Sequence, residues 1–300
     1  MRNYDNFDKY TDECYASICI GKFDAIHLGH QKLIHKVVEN TNSDTKSIII
    51  SLNDGAKTLF SEKEKISILE KFKVDYYINI NINEIKNMTA TKFLNEIIIN
   101  KINAKYICCG NDFKFGRNRE GDVNLLKDFC IKNAIKLEVI DKINIDENEI
   151  SSSIVRDYLL SGNIRQVNKL LGFNYFIFGE VVKGNQIGRK IGVPTANIKW
   201  PNKKILPPKG VYVSKVYYNA KEYYGIANIG NKPTIGDKIS PLLEVNIFDL
   251  NEDLYHKKIK VELLEFIRKE EKFSTIEMLK KVLYNDIKMT KKYLKDIGEL

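Results

Sequence analysis

Residues Ile20–Leu33 read IGKFDAIHLGHQKL, and this stretch decides how the first half of the chain is built. Tyr15 to Ile20 before it is short, apolar and bounded by glycine, as a buried strand is; Leu33, Ile34, Val37 and Val38 after it recur at helical spacing. His27, Gly29 and His30 therefore stand where a strand gives way to a helix. Backbone N–H groups in a first helical turn have no intrahelical acceptor and sit at the positive end of the dipole, so anionic phosphate is favoured there. Gly29 allows close approach, and two imidazoles could donate to oxygens that gain charge during displacement at phosphorus. The chain has only four histidines, and two are here. On the motif alone, two ordinary polar residues in a strand-to-helix loop explain it equally well.

Strand and helix patterns then alternate. Ser47–Leu52, Tyr76–Ile82, Tyr106–Cys109 and Lys136–Ile140 read as strands, and Lys63–Phe72, Thr91–Ile102 and Asn124–Lys132 as helices. This pattern predicts a mostly parallel sheet covered by helices, with ligands at the carboxyl ends of the strands. After Gly172 the texture changes. Phe176–Val182, Val211–Tyr218, Tyr223–Ile229, Leu243–Asp249 and Ile259–Phe266 are strand-like segments separated by Gly-, Pro- and Asn-rich turns, which suggests an antiparallel barrel. A closing helix is expected over Ser274–Ile297, capped by Ser274 or Thr275 and burying Ile276, Leu279, Leu283 and Ile287. The expected division is 1–171 and 172–300.

Composition narrows the partners. With 300 residues, 43% hydrophobic and 29% charged, the chain can hold two globular cores. The polar, acidic N-terminus resembles no signal peptide and no apolar run suits a bilayer, so a cytosolic protein without membrane contact is expected. Five cysteines without a CxxC pair indicate neither a disulfide framework nor a zinc site; reduced, mostly buried thiols are expected. Lys and Arg outnumber Asp and Glu by 25 to 24 over residues 1–171 and by 23 to 15 over 172–300. The basic residues are scattered and the aromatics form no RNP-like pattern, so free nucleotide is favoured over nucleic acid.

Four further segments carry candidate chemistry. Gly110–Asp122 (GNDFKFGRNREGD) follows a strand and offers Asp112, Arg117 and Arg119 for a nucleotide, or is a long surface loop facing water. Ile150–Arg156 (ISSSIVR) places three serines before a helix and Arg156 in its first turn, where a nearby anion would offset the dipole. Gly179–Asn197 (GEVVKGNQIGRKIGVPTAN) has glycines 179, 184, 188 and 192 for a phosphate-cradling loop, with Thr195 and Asn197 as hard oxygen ligands suited to Mg²⁺. It is not a Walker loop, and a Gly- and Pro-rich hairpin turn is the plainer reading. Alternation in LLEVNIF puts Glu244 opposite Leu243 and Val245, with Asn246 beside it. A carboxylate on the inside of a barrel is costly unless it acts, for example by taking a proton from a hydroxyl nucleophile; the alternative is a solvent-exposed face.

In this order, these segments resemble the bifunctional bacterial riboflavin kinase/FAD synthetases along nearly the whole chain. IGKFDAIHLGHQKL, CGNDFKFGRNREGD and ISSSIVRDYL are similar to the FAD synthetase motifs; GRKIGVPTAN, LPPKGVYV, ANIGNKPTIG, LLEVNIFDLNEDLY and FIRKEEKF are similar to the kinase motifs. The resemblance implies a Rossmann-like nucleotidylyltransferase domain followed by a small antiparallel barrel kinase. It implies ATP, riboflavin, FMN and FAD as substrates and products, with Mg²⁺. By match to the motifs, Gly184, Gly188 and Gly192 would bind nucleotide, Thr195 and Asn197 would hold Mg²⁺ and phosphates, Glu244 would be the general base, and Arg268 would lie by the flavin. In the first half His27 and His30 would stabilise phosphates, Gly21, Phe23, Asp24, Gly29 and Asp112 would contact nucleotide, and Ser152 and Arg156 would bind the departing pyrophosphate. Alternatives are a chain active in one half only, or a flavin- or RNA-binding regulator, against which the retained Thr195, Asn197 and Glu244 argue. Ala25 replaces a usual glycine, Ser153 a threonine, Val193 a phenylalanine, Asn246 a histidine and His256 a glycine, and Ser51–Asn53 lacks a usual aromatic-and-proline segment.

Overall fold

The computed structural model describes residues 1–146, 148–184, 192–233 and 239–299, which form two compact units, Met1–Ser152 and Ser153–Leu300. In the first unit β1 (Arg2–Tyr4), β2 (Tyr15–Gly21), β3 (Thr45–Asn53), β4 (Tyr76–Asn81), β5 (Ala104–Gly110) and β6 (Lys136–Ile140) form one parallel sheet in the order β1-β4-β3-β2-β5-β6. The strand order reverses about β2, between β3 and β5, which opens a crevice at the carboxyl ends. Helices α1 (Leu28–Glu39), α2 (Glu62–Lys71), α3 (Ala90–Lys92, continuing as a π-helix over Phe93–Lys101) and α4 (Val123–Lys132) provide the crossovers. Strands such as SIIIS in β3 are buried throughout because the sheet is covered on both faces. On one face Ile18, Ile48, Ile50, Ile78 and Ile107 pack with Phe93, Leu94 and Ile98. The edge strand β1 is too short and polar to show periodicity; it exists because β4 offers it a free edge and Tyr4 joins Tyr10 and Tyr76 in an aromatic cluster.

A two-rung ladder of β7 (Asn144–Ile145) and β8 (Asn148–Glu149) precedes helices α5 (Ser152–Ser161) and α6 (Ile164–Leu171). The compact units thus divide about twenty residues before the change of sequence texture, and α6 packs on the barrel of the second unit. That closed barrel runs β10-β13-β12-β11-β14-β9, built from β9 (Phe176–Val182), β10 (Ala196–Lys199), β11 (Gly210–Tyr218), β12 (Lys221–Pro233), β13 (Ile239–Ile247) and β14 (Lys258–Lys269). Its interior is filled by Ile177, Ile198, Tyr212, Val216, Ala227, Ile229, Leu243, Val245, Val261 and Leu263.

Two expectations are corrected here. Glu244 is not inside the barrel: Leu243 and Val245 fill the interior, so alternation sends Glu244 and Asn246 to the outer face, into a cleft under the closing helix. That helix, α7 (Ile276–Asp296), is capped by Thr275, whose Oγ1 accepts from Met278 N at 3.2 Å. Its fully buried positions are Asp286, Thr290 and Leu294, whereas Ile276 is 59% exposed. An ion pair between half-buried Arg268 and buried Asp286, not an apolar stripe alone, seats it, and hydropathy periodicity does not register an acid as a core residue.

Candidate active sites

In the first unit the strand ends surround a cleft of about 810 Å³. Gly21 closes β2, Gly110 closes β5, and Leu52, Ile82 and Ile140 come from the ends of β3, β4 and β6. His27 is the N-cap of α1, with its Nδ1 accepting from His30 N at 3.3 Å. Its proton then belongs on Nε2. The two imidazoles stack with centroids 3.8 Å apart, and Phe23 lies 5.0 Å from His30. Burial pushes the pKa of His27 down to about 4; burial, then His27 and Lys65, hold that of His30 well below the usual range. Both rings are therefore neutral donors at neutral pH, and His30 Nδ1 is buried without a hydrogen-bond partner among the described residues.

The rim of this cleft is basic. Lys22 pairs with Asp54 at 2.8 Å, Lys114 with Asp122 at 3.6 Å, and Lys142 with both Asp112 at 3.2 Å and Glu149. Lys86, Arg117 and Arg119 also line it and make no ion pair among the described residues, which leaves their charge for a ligand. Leu33, Leu52, Ile82, Ile85, Phe93, Phe113 and Phe115 give the same cleft apolar lining. Gly116, at φ +74°, brings the 110–122 loop against Ala90, whose backbone N would lie 2.7 Å from any added Cβ. Arg117 N donates to Met88 O at 2.7 Å, so the loop is a built wall and not a water-facing excursion.

Of the predicted residues here, Gly21, Phe23, His27, Gly29, His30, Asp112 and Ser152 line the cleft together. Asp24 has a scaffolding contact: its Oδ1 accepts from Leu59 N at 2.8 Å, and it is buried. Arg156 lies one turn along α5, in the second compact unit. Ala25 has an ordinary backbone; the positive φ angles fall on Phe23 (42°) and Ile26 (48°), so the missing glycine imposes no strain at position 25. Lys86 and Lys142 were not singled out from sequence, because a lone lysine carries no signal until the fold turns it into a cleft.

The second unit has a cleft of about 240 Å³ on the outer face of the barrel. Val193, Thr195, Val211, Asn228, Glu244, Asn246 and Arg268 line it with Phe273, Leu279 and Leu283. Asn197 is buried, directly opposite Glu244 in the β10–β13 register, and its Oδ1 has no hydrogen-bond partner among the described residues. A Cβ on Gly184 would stand 2.7 Å from that Oδ1, so this position needs glycine for space. Gly192, at φ +80°, needs it for conformation. Gly188 lies outside the described residues. Asn246 Nδ2 donates to Pro194 O at 2.7 Å and tethers the 193–195 segment. Arg268 lines the cleft, yet its Nη2 and Nε fork onto Asp286 at 2.7 and 3.0 Å, which raises its pKa.

Models of the FAD synthetase and riboflavin kinase families match residues 9–154 and 171–294. The bifunctional riboflavin kinase/FMN adenylyltransferase of Buchnera aphidicola from Schizaphis graminum is 38% identical, with 98% of each chain covered; that of Bacillus subtilis is 31% identical, with 95% of each covered. The chain belongs to the bifunctional riboflavin kinase/FMN adenylyltransferase family. Its fold is also similar to the crystal structure of a macrolide-efflux protein from Streptococcus pneumoniae, with TM-score 0.85 and 27% identity over 97% of this chain and 98% of that one. Among the described residues no helix is long and apolar enough to cross a membrane. Within the riboflavin kinase/FMN adenylyltransferase frame, the cleft of the first unit falls in the part matched to FAD synthetase and the barrel cleft in the part matched to riboflavin kinase. The four buried cysteines Cys19, Cys108, Cys109 and Cys130, and the half-buried Cys14, are free thiols, as expected.

Proposed function

We propose that both clefts are catalytic and work in sequence: riboflavin and ATP give FMN in the barrel, and FMN with a second ATP gives FAD and pyrophosphate in the first unit. The observation that carries this is the placement of Glu244, an outward carboxylate, directly across from Asn197, whose buried oxygen has no partner among the described residues. Pure flavin binding requires no such pair.

In the barrel Glu244 takes the proton of the ribityl 5′-hydroxyl as its oxygen bonds to the γ-phosphorus and the bond to ADP breaks. Asn197 Oδ1 and the Thr195 hydroxyl fit a hard divalent cation, and would hold Mg²⁺ with the ATP phosphates. Bound there, Mg²⁺ would neutralise phosphate charge. Gly184 makes room for the Asn197 amide, and Gly192 gives the chain its turn beside those phosphates. In the first unit no protein nucleophile is required, since an FMN phosphate oxygen attacks the α-phosphorus of ATP. His27 Nε2–H, the neutral His30 ring and the α1 N-terminus stabilise the charge that develops, and Lys86, Arg117 and Arg119 gather the anions. Gly21, Phe23, Gly29 and Asp112 bound the nucleotide, and Ser152 meets the pyrophosphate; the assignment of Arg156 to pyrophosphate rests on its sequence motif. Arg268 contributes its hydrocarbon stem to the flavin side of the barrel cleft while its charge is held by Asp286.

Incubation with riboflavin, ATP and Mg²⁺, followed by chromatographic separation of flavins, tests the reading. FMN followed by FAD is the expected result. FMN alone removes the adenylylation half, and unchanged riboflavin removes both.

A further inference from the structure

The barrel register places the buried Asn197 and four cleft-lining residues in one line across the strands. Asn197 opposes Glu244, Glu244 opposes Asn228, Asn228 opposes Val211 and Val211 opposes Arg268. Directly opposed residues in antiparallel strands project from the same face, so this row runs across the outer surface at about 4.8 Å per step. Its two ends differ chemically. On the kinase reading Asn197 is the phosphate and cation end, whereas Val211 and the stem of Arg268, in one cleft with Phe273, Leu279 and Leu283, make an apolar end suited to a fused aromatic ring.

Asn228 sits between them, half-buried, one step from Glu244. Its carboxamide makes no hydrogen bond among the described residues, although Asn246 and Asn197 on the same face each donate to the backbone. Gly230 leaves room beside it for the Glu270 carboxylate: a Cβ there would lie 2.6 Å from Glu270 Oε1 and 3.4 Å from Asn228 Nδ2. From Glu244 to Val211 is two strand spacings, about 10 Å. A stretched five-carbon polyol with its terminal hydroxyl on the carboxylate covers that distance.

Resting on the kinase reading above, we propose that Asn228 is the specificity residue for the polyol chain of the substrate. Its carboxamide hydrogen-bonds the internal hydroxyls, and the flavin lies perpendicular to the strands with its 5′-hydroxyl at Glu244 and its ring at Val211. A site built to hydrogen-bond a hydroxyl discriminates against an analogue that lacks it, because the polar group is left unpaired.

The test compares riboflavin with a flavin bearing an unbranched 5-hydroxypentyl chain at N10, which keeps the terminal hydroxyl and lacks the internal ones. The full-length wild-type chain and Asn228→Leu and Asn228→Ser are assayed at saturating ATP and Mg²⁺. Wild type should prefer riboflavin in kcat/KM by at least about tenfold. Asn228→Leu should lose that preference, chiefly through KM for riboflavin, with the hydroxypentyl substrate unaffected; Asn228→Ser should retain most of it. Equal losses for both substrates, or an unchanged ratio in Asn228→Leu, overturn the proposal by showing a structural role. If the leucine variant fails to fold, Asn228→Ala reads the same ratio. A wild type that phosphorylates neither flavin overturns the kinase reading itself.

Discussion

Gly184→Ala asks whether the buried amide of Asn197 belongs to the kinase machinery. The glycine has no positive φ, so alanine suits its backbone; what it lacks is space. The added Cβ would meet Asn197 Cγ at 2.6 Å and Oδ1 at 2.7 Å, with Nδ2 closer still, about 1 Å inside ordinary contact. Asn197 cannot retreat by moving its backbone, because β10 is paired on both sides, to Val182 and to Glu244. The amide must turn aside by about 1 Å, and a displacement of that size at a reacting centre costs on the order of 100-fold in rate. FMN formation, followed by chromatography at saturating ATP across a Mg²⁺ titration, should fall by about that factor and require more Mg²⁺. Conversion of supplied FMN to FAD in the same preparation serves as the internal control and should be unchanged. A variant that makes FMN within threefold of wild type, with the same Mg²⁺ dependence, refutes the assignment of Asn197.

Three further outcomes are expected. Glu244→Gln should lower FMN formation by about 10²–10⁴-fold while FMN-to-FAD conversion persists, as loss of a general base does; loss of both would show the halves are not independent. Asp286→Asn weakens the fork that seats α7 and should lower Tm by several degrees in a thermal melt, since disrupting a buried pair costs more than its surface equivalent; an unchanged Tm would remove that pair from the account of the helix. His27 should make stability acid-sensitive. The unfolded imidazole takes a proton as pH falls through about 6.5, the folded one only near 4, so its contribution is complete above pH 6.5 and is lost as pH falls to 4, about 3 kcal/mol in all. Urea midpoints at pH 7 and 5 measure this, and a His27→Gln variant with the same pH slope as wild type would contradict it.

Much of the architecture was legible along the chain. Lys136–Ile140 and Phe176–Val182 appear with the bounds their apolar alternation implies, and the parallel sheet follows from strand and helix patterns in turn. The cleft around His27 and His30 was legible too, since a strand-to-helix junction at a sheet's carboxyl end is where ligands bind. Three features were not. β10 is only four residues, too short for a period to declare itself, yet it carries Asn197. Asp286 reads as a surface acid on a lysine-rich helix until Arg268 is found beneath it. Lys86 and Lys142 gain meaning only from the cleft they enclose.

The sequence by itself determined which residue types stand at strand ends and turns, and therefore the two-part architecture and the chemistry on offer. Which side of a strand faces a ligand was decided by tertiary structure alone. Glu244 alternates with Leu243 and Val245 either way; only barrel closure and the packing of α7 make the outer face a cleft and align Asn197, Glu244, Asn228, Val211 and Arg268 across five strands. The reason is that periodicity along a strand separates its two faces, whereas register between strands arises from contacts distant in sequence.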